Sequence, residues 1–358
     1  MSARLAALRQ ELARAYPQAD ALVVSGDADR RYLSGFRGDS GVLWITRDDA
    51  ALITDARFWE QAERECPPWR LVRQQGPLAP ALAGVAAEAG ARAVAFQPEP
   101  VSYAVYRSWR HALVGVRLVA ASGLLDGLRL RKDPQELAAI RRAAAMTDAV
   151  FAQWLPQCRA GAVEAELALD LEVRLRRAGA EGMAFPPIVA AGPRGAMAHA
   201  IAGPERLASG DLVVVDVGAR VDGYCSDMTR TVVVSGAAPP LEALAARALV
   251  AEALRVGVAA LRPGVGAVGV DALVRQVIVA GGYGDHFGHG TGHGVGLDVH
   301  EPPRISPHGD PQARIPQGAV VTIEPGVYVP GRFGVRLEQL VYVGPDGPEL
   351  LSQSPLEV

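Results

Sequence analysis

From Lys132 onward the chain runs twice through one order of elements: two helical stretches, then a β-hairpin. The first helix opens in "KDPQELAAIRRAAAMTDAVF". Asp133 can cap it, Pro134 suits the first helical position, and Glu136 completes a capping box. Leu137, Ile140, Ala144 and Thr147 then fall on one face. "VEAELALDLEVRLRRAG" gives a second helix ending near Gly179. "PPIVAAG", "DLVVVDVGA" and "YCSDMTRTVVV" read as extended. The order then recurs in "LEALAARALVAEALRVGVAALRPG", "AVGVDALVRQVIVAGG", "AVVTIEPGVYV" and "GVRLEQLVYV". The recurrence lies in element order rather than residue identity, and it implies two structural half-repeats around one core.

Ahead of the repeats, residues 1–124 read differently. "ALVVSG", "GVLWIT", "AALIT" and "RAVAF" look like strands, with "ARFWEQAERE" and "PLAPALAGVAAEAG" as helices between them. We therefore expect an α+β protein: a small mixed α/β domain over 1–124 and a second domain over 125–358. The start, "MSARLAALRQELARAYPQAD", interrupts its apolar positions with Arg4, Arg9, Glu11 and Arg14, which fits an amphipathic helix and not a targeting segment. No apolar run approaches the roughly 20 residues that span a bilayer, so no membrane partner is expected. A net charge of −3 offers no basic surface to nucleic acid. Cys66, Cys158 and Cys225 lack CxxC spacing, which suits a reducing cytoplasm. Lys132 is the chain's single lysine, which excludes a P-loop.

The chemistry is carried by acids placed inside apolar strands. Asp216 sits within "DLVVVDVGA"; alone it could be an edge-strand residue facing water. Asp222-Gly223 is a two-residue hairpin signal, and with that turn Asp227 falls on the same face as Asp216. In the second hairpin, a three-residue loop Pro330-Gly331-Arg332 sets Glu324 opposite Glu338. Like charges so placed repel unless a cation lies among them. Around a pseudo-twofold axis the four would meet, which is the composition of a two-metal site.

"GHGTGHGVGLDVHEPP" (Gly288 to Pro303) adds imidazole on a segment that disfavours helix. If it is extended, His289, Thr291, His293 and Val295 share a face, and the two histidines lie at most about 13 Å apart. One ion could not easily take both, so one ligand and one histidine free for substrate are expected. His300 precedes prolines that keep the chain extended or turning. His111 and His308 read as hydrogen-bonded core residues.

With these segments in order, the chain resembles the metal-dependent Xaa-Pro peptidases, prolidase and aminopeptidase P, which share the pita-bread fold with methionine aminopeptidase and creatinase. "YLSGFRGDSG", "LITDARFWEQA" and "RLRKDPQELAAIRRAA" extend the resemblance over nearly the whole chain. It implies that Asp216, Asp227, His293, Glu324 and Glu338 bind two divalent ions. Asp227 and Glu338 would be shared by both, Asp216 would complete one shell, and His293 with Glu324 the other. It makes His289 and His300 catalytic, His199 a substrate-side histidine and Arg336 a supporting neighbour of Glu338. Two positions depart from the pattern. Ala198 stands where the family more often has proline, and Gln339 where it usually has aspartate. The implied reaction is hydrolysis of the bond before proline by a hydroxide held between the ions, with Glu324 shuttling the proton.

Four carboxylates and one imidazole make a hard donor set, suited to manganese, with zinc or cobalt as alternatives. The charged loop Arg37 to Asp39 departs from the family's small residues. Arg37 or Asp39 could reach a substrate terminus, in its own or a partner subunit's site, and would then favour dipeptides. The expectation is an Xaa-Pro dipeptidase acting as a homodimer; the alternatives are an aminopeptidase acting on longer peptides and a non-catalytic binding protein of the same fold. "GVGAVG" matches G-x-G-x-x-G by letter but follows a helix and a proline, so it reads as a helix–helix linker.

Overall fold

The computed structural model describes residues 3–357. The chain divides into two compact units, Met1–Arg129 and Leu130–Val358. The division falls a little beyond residue 124 because the short helix Asp126–Arg129 belongs with the first unit. There Arg129 pairs with Asp29 at 2.8 Å and the Leu128 carbonyl accepts from the Tyr32 hydroxyl.

The first unit is built on a six-stranded mixed sheet. Ala21–Val24 lies at its centre between Val42–Thr46, antiparallel, and Ala93–Phe96, parallel. All four residues of Ala21–Val24 are buried, as expected of a strand covered on both faces. The outermost strands, Arg70–Arg73 and Arg117–Ala120, carry arginine at their exposed ends, a common protection for a sheet edge. The helix Ala3–Ala15 buries Leu5, Leu8 and Leu12; Arg14 is exposed, while Arg4 and Arg9 are part-buried and donate to the carbonyls of Tyr32, Thr46 and Asp49.

The second unit repeats its elements as expected. Pro134–Trp154 begins on the anticipated capping box: Asp133 accepts from the Gln135 and Glu136 amides, and Glu136 accepts from the Asp133 amide at 2.8 Å. It packs on Glu164–Arg177, and the antiparallel sheet of Ile188–Ala191, Leu212–Val217 and Met228–Val233 follows. Leu241–Ala260 packs on Ala267–Ala280 in the second half. A five-stranded sheet follows, ordered Glu301–Ile305, Gly292–Gly294, Val320–Ile323, Gln339–Gly344 and Gly347–Leu350. Its core of Val250, Leu254, Val274, Ile323 and Val341 is buried. Among the described residues no helix is long and apolar enough to cross a membrane.

Candidate metal centre

Two hairpins set the acids. In the first, Val221 faces Tyr224 across Asp222-Gly223, whose φ values of 51° and 85° are the left-handed pair that a tight I′-type turn requires. Asp216 lies opposite Thr229, so Asp227, two residues before Thr229, shares its face. Gly218 lets the returning strand close in, since a Cβ there would stand 2.1 Å from the Ser226 carbonyl oxygen. In the second hairpin Gly326 faces Arg336 and Val329 faces Phe333 around Pro330-Gly331-Arg332. Beyond it Ile323 faces Gln339, and the same register sets Glu324 across from Glu338.

The glycine-rich segment is strand over Gly292–Gly294 and bends over 296–300, and its glycines serve close approach. A Cβ on Gly292 would meet the Thr322 carbonyl oxygen at 2.0 Å, and one on Gly294 the Pro302 carbonyl oxygen at 2.1 Å. Asp271 holds the segment from a neighbouring helix. Its carboxylate accepts from the Thr291 hydroxyl at 2.8 Å and pairs with Arg275, which in turn donates to the His289 carbonyl.

These elements bring His293 to the acids. Donor atoms of Asp227, His293 and Glu338 lie within 4.8 Å of one another. His293 Nε2 is 3.3 Å from Glu324 Oε1 and 3.6 Å from Asp227 Oδ2. Its Nδ1 is committed as donor to the Gly294 carbonyl at 3.0 Å, so in the neutral ring Nε2 presents a lone pair to those oxygens. Burial holds this imidazole below the ordinary histidine range. Burial, then repulsion from Glu338, Asp216 and Glu324, pushes Asp227 well above the usual carboxylate range. Burial and repulsion from Glu324 and Asp216 do the same to Glu338, and burial raises Glu324. Asp216 Oδ2 accepts from Arg336 at 2.7 Å, while its buried Oδ1 has no hydrogen-bond partner. An orphan oxygen, an imidazole lone pair and acids strained by their own charge are all relieved by divalent cations, and the donor set fits them.

The remaining expected residues divide into engaged and open groups. Arg336 bridges Asp216 and the Tyr328 hydroxyl, 3.0 Å away. Tyr328 in turn donates to His289 Nε2 at 2.8 Å, and His289 Nδ1 donates to the Gly290 carbonyl. Both ring nitrogens of His289 are thus taken. His300 packs its ring on His293, with centroids 4.4 Å apart, and among the described residues makes no side-chain hydrogen bond. His300 and His199 line a cleft of about 910 Å³ that has the five metal-type donors in its wall. Arg37 and Asp39 are exposed on a loop of the first unit, where Arg37 pairs with Glu65 at 3.2 Å. His111 and His308 correct an expectation. Neither is in the core; both are exposed, one at the end of the helix Tyr103–Ala112 and the other in the loop after Glu301–Ile305.

Several residues were missed. Tyr328 and Thr229 looked like ordinary strand positions, yet Thr229 Oγ1 donates to Glu338 Oε2 at 2.8 Å and accepts from Arg336 Nε. Arg230 is fully buried, and burial pulls its guanidinium down to about 10, still charged at neutral pH. Arg304 lines the cleft, is exposed, and has no ion pair among the described residues. The alternation along Glu301–Ile305, with Pro302 and Arg304 outward, was the signal for it.

Clustered, buried acids with one imidazole in the wall of an open cleft define a metal-dependent hydrolase. The chain belongs to metallopeptidase family M24, whose model matches residues 138–345; the model of the creatinase/prolidase N-terminal domain matches residues 4–131. Its fold is therefore the pita-bread arrangement that the resemblance implied. It is 30% identical to an Xaa-Pro dipeptidase of Pyrococcus horikoshii over 95% of this chain and 94% of that one. Its structure matches an Xaa-Pro dipeptidase from Bacillus anthracis with a TM-score of 0.94 and 35% identity, covering 99% and 98% of the two chains. It matches an X-Pro aminopeptidase from Thermotoga maritima at 0.86 and 33%, covering 95% and 97%.

Proposed function

We propose that this protein is an Xaa-Pro dipeptidase that works with two divalent ions, manganese by the hardness of its donors. The observation that carries the reading is the meeting of Asp227, Glu338 and His293, with Glu324 and Asp216 beside them and one Asp216 oxygen left orphaned. Those five residues would hold the ions, with Asp227 and Glu338 as the ligands common to both. When bound, the ions polarise the scissile carbonyl and bring the pKa of water toward neutrality.

The chain's own groups supply the rest. Glu324 takes the proton of the attacking water on a carboxylate oxygen and delivers it to the proline nitrogen, whose tertiary amide cannot leave unprotonated. Its raised pKa suits a group that must both accept and give a proton. His300, lining the cleft with its ring nitrogens unengaged, donates to the developing oxyanion. His289 has both nitrogens occupied and leaves that task to His300. His199 contacts the substrate at the cleft wall.

The dipeptide preference rests on Arg304, a cation on the cleft wall without a carboxylate partner among the described residues, which suits the free carboxylate of a two-residue substrate. Arg37 and Asp39, presented from a second copy in a homodimer, add charge that a longer peptide would meet unfavourably. Three buried free thiols fit a reducing, cytoplasmic setting. The test is hydrolysis by chelated and manganese-restored protein. Cleavage of Xaa-Pro dipeptides well ahead of Xaa-Pro-Xaa tripeptides supports the reading. Preference for tripeptides favours an aminopeptidase, and no cleavage of either a binding protein.

A further inference from the structure

Arg230 is fully buried in the strand Met228–Val233, where a guanidinium is costly unless every donor is met. Its Nη1 donates to the backbone oxygens of Thr229 at 2.9 Å and Glu338 at 2.6 Å. Its other nitrogens reach the Ser354 carbonyl at 3.0 and 2.6 Å, the Pro355 carbonyl at 3.0 Å and Gln339 Oε1 at 3.4 Å. One side chain thus ties the backbone of Glu338 to the segment Ser352–Leu356. Its neighbour Thr229 holds the Glu338 carboxylate.

That segment is itself fastened along its length. Asp148, on the helix Pro134–Trp154, accepts from the Gln353 and Ser354 amides at 2.7 Å each and from the Ser354 hydroxyl. The Ser352 hydroxyl joins Gln339 Oε1 and the Leu340 amide, and Arg247 donates to the Leu356 carbonyl. Gln339 Oε1 accepts from Arg230 without adding a charge. The guanidinium is bonded mainly to neutral backbone carbonyls, while the carboxylate charges of Asp148 and Glu338 favour it without a hydrogen bond among the described residues. A buried cation solvated by carbonyls is held only as firmly as the segment that presents them.

We propose that Ser352–Leu356 and Arg230 form a strut that sets Glu338, so that ion affinity depends on a segment bonded to none of the five ligand side chains. Arg230 is a positioning residue, and this inference rests on the reading of Glu338 as a metal ligand. Supporting neighbours of metal ligands govern affinity by about 10–100-fold.

The experiment measures Mn²⁺ affinity of the full chain by competition with a chelating dye, with the electron paramagnetic resonance spectrum of bound Mn²⁺ as a second readout. Asp148→Ala removes the anchor of the segment and a carboxylate whose charge favours Arg230, leaves the hydrogen bonds of Arg230 itself in place, and should weaken binding about tenfold; Arg230→Gln should weaken it at least as much. Gln339→Asp gives Arg230 a carboxylate of its own, and in that background Asp148→Ala should lose most of its effect. Wild-type affinity in a folded Asp148→Ala protein overturns the strut, as does an equal loss in both backgrounds. If Arg230→Gln does not fold, the Asp148 and Gln339 variants decide alone. If Glu338→Gln binds Mn²⁺ as tightly as wild type, the ligand reading of Glu338 has failed, and the strut with it.

Discussion

His293 Nε2 and Glu324 Oε1 face each other across 3.3 Å, with the single N–H of the neutral imidazole turned away to the Gly294 carbonyl. Something positive must lie between such atoms, either a proton or a metal.

Proton release on metal binding follows. Asp227, Glu324 and Glu338 all have their pKa raised in the metal-free protein, chiefly by burial. Below those raised positions they carry protons that an entering cation expels. Apparent affinity should therefore rise with pH. The folded-state pKa of these groups exceeds the unfolded value, so metal-free stability should fall as pH rises through that window. Calorimetry in buffers of different ionisation enthalpy counts the protons; a count of zero contradicts the account.

Removing one acid should stabilise the metal-free protein while disabling it. At a pH above its raised position Asp227 is charged, and Asp227→Asn then deletes a repelling charge at a residue only 4% exposed. The metal-free melting temperature should rise by a few degrees, roughly 1 kcal/mol. Hydrolysis should drop by at least about 10²-fold. Thermal melts with and without chelator, beside kcat/KM, check both halves.

The two histidines of the cleft should separate. His300→Ala should lower kcat about 10²–10³-fold with Mn²⁺ affinity unchanged, the behaviour of a lost oxyanion donor. Tyr328→Phe removes the hydroxyl between Arg336 and His289. It should cost about tenfold in kcat through disordered supports. Equal losses in kcat from the two variants would assign the oxyanion to His289 instead.

Substrate length should be read by charge. Arg304→Gln should raise KM for Xaa-Pro dipeptides about 10–100-fold, as expected for a lost hydrogen bond between charged groups, and leave C-terminally amidated substrates unaffected. Arg37→Ala and Asp39→Ala should lower the dipeptide-to-tripeptide ratio of kcat/KM. An unchanged ratio removes that loop from the substrate.

Much of this was legible in the sequence because hairpin registers are arithmetic. Once Asp222-Gly223 and Pro330-Gly331-Arg332 are turns, the facing positions of the acids follow from the two-residue period. The capping box at Asp133 marked the second unit's first helix by the same local logic. What stayed hidden depends on distant partners. Arg70–Arg73 and Arg117–Ala120 are four-residue edge strands, the first with arginine at both ends and the second at one, and no alternation announces them. Tyr328, Thr229 and Arg230 occupy strand positions where local pattern reads only core or surface; their roles come from residues roughly 40 to 125 positions away. His111 and His308 lie outside the core because a helix end and a loop place them there, which a lone histidine does not signal.

The most direct test is the metal content of the folded chain after equilibration with Mn²⁺. Two ions per chain are expected for the wild type, and fewer than one for the Asp227→Asn/Glu338→Gln double variant, which lacks both shared ligands. A wild-type chain that retains none, or a double variant that still retains two, would contradict the account.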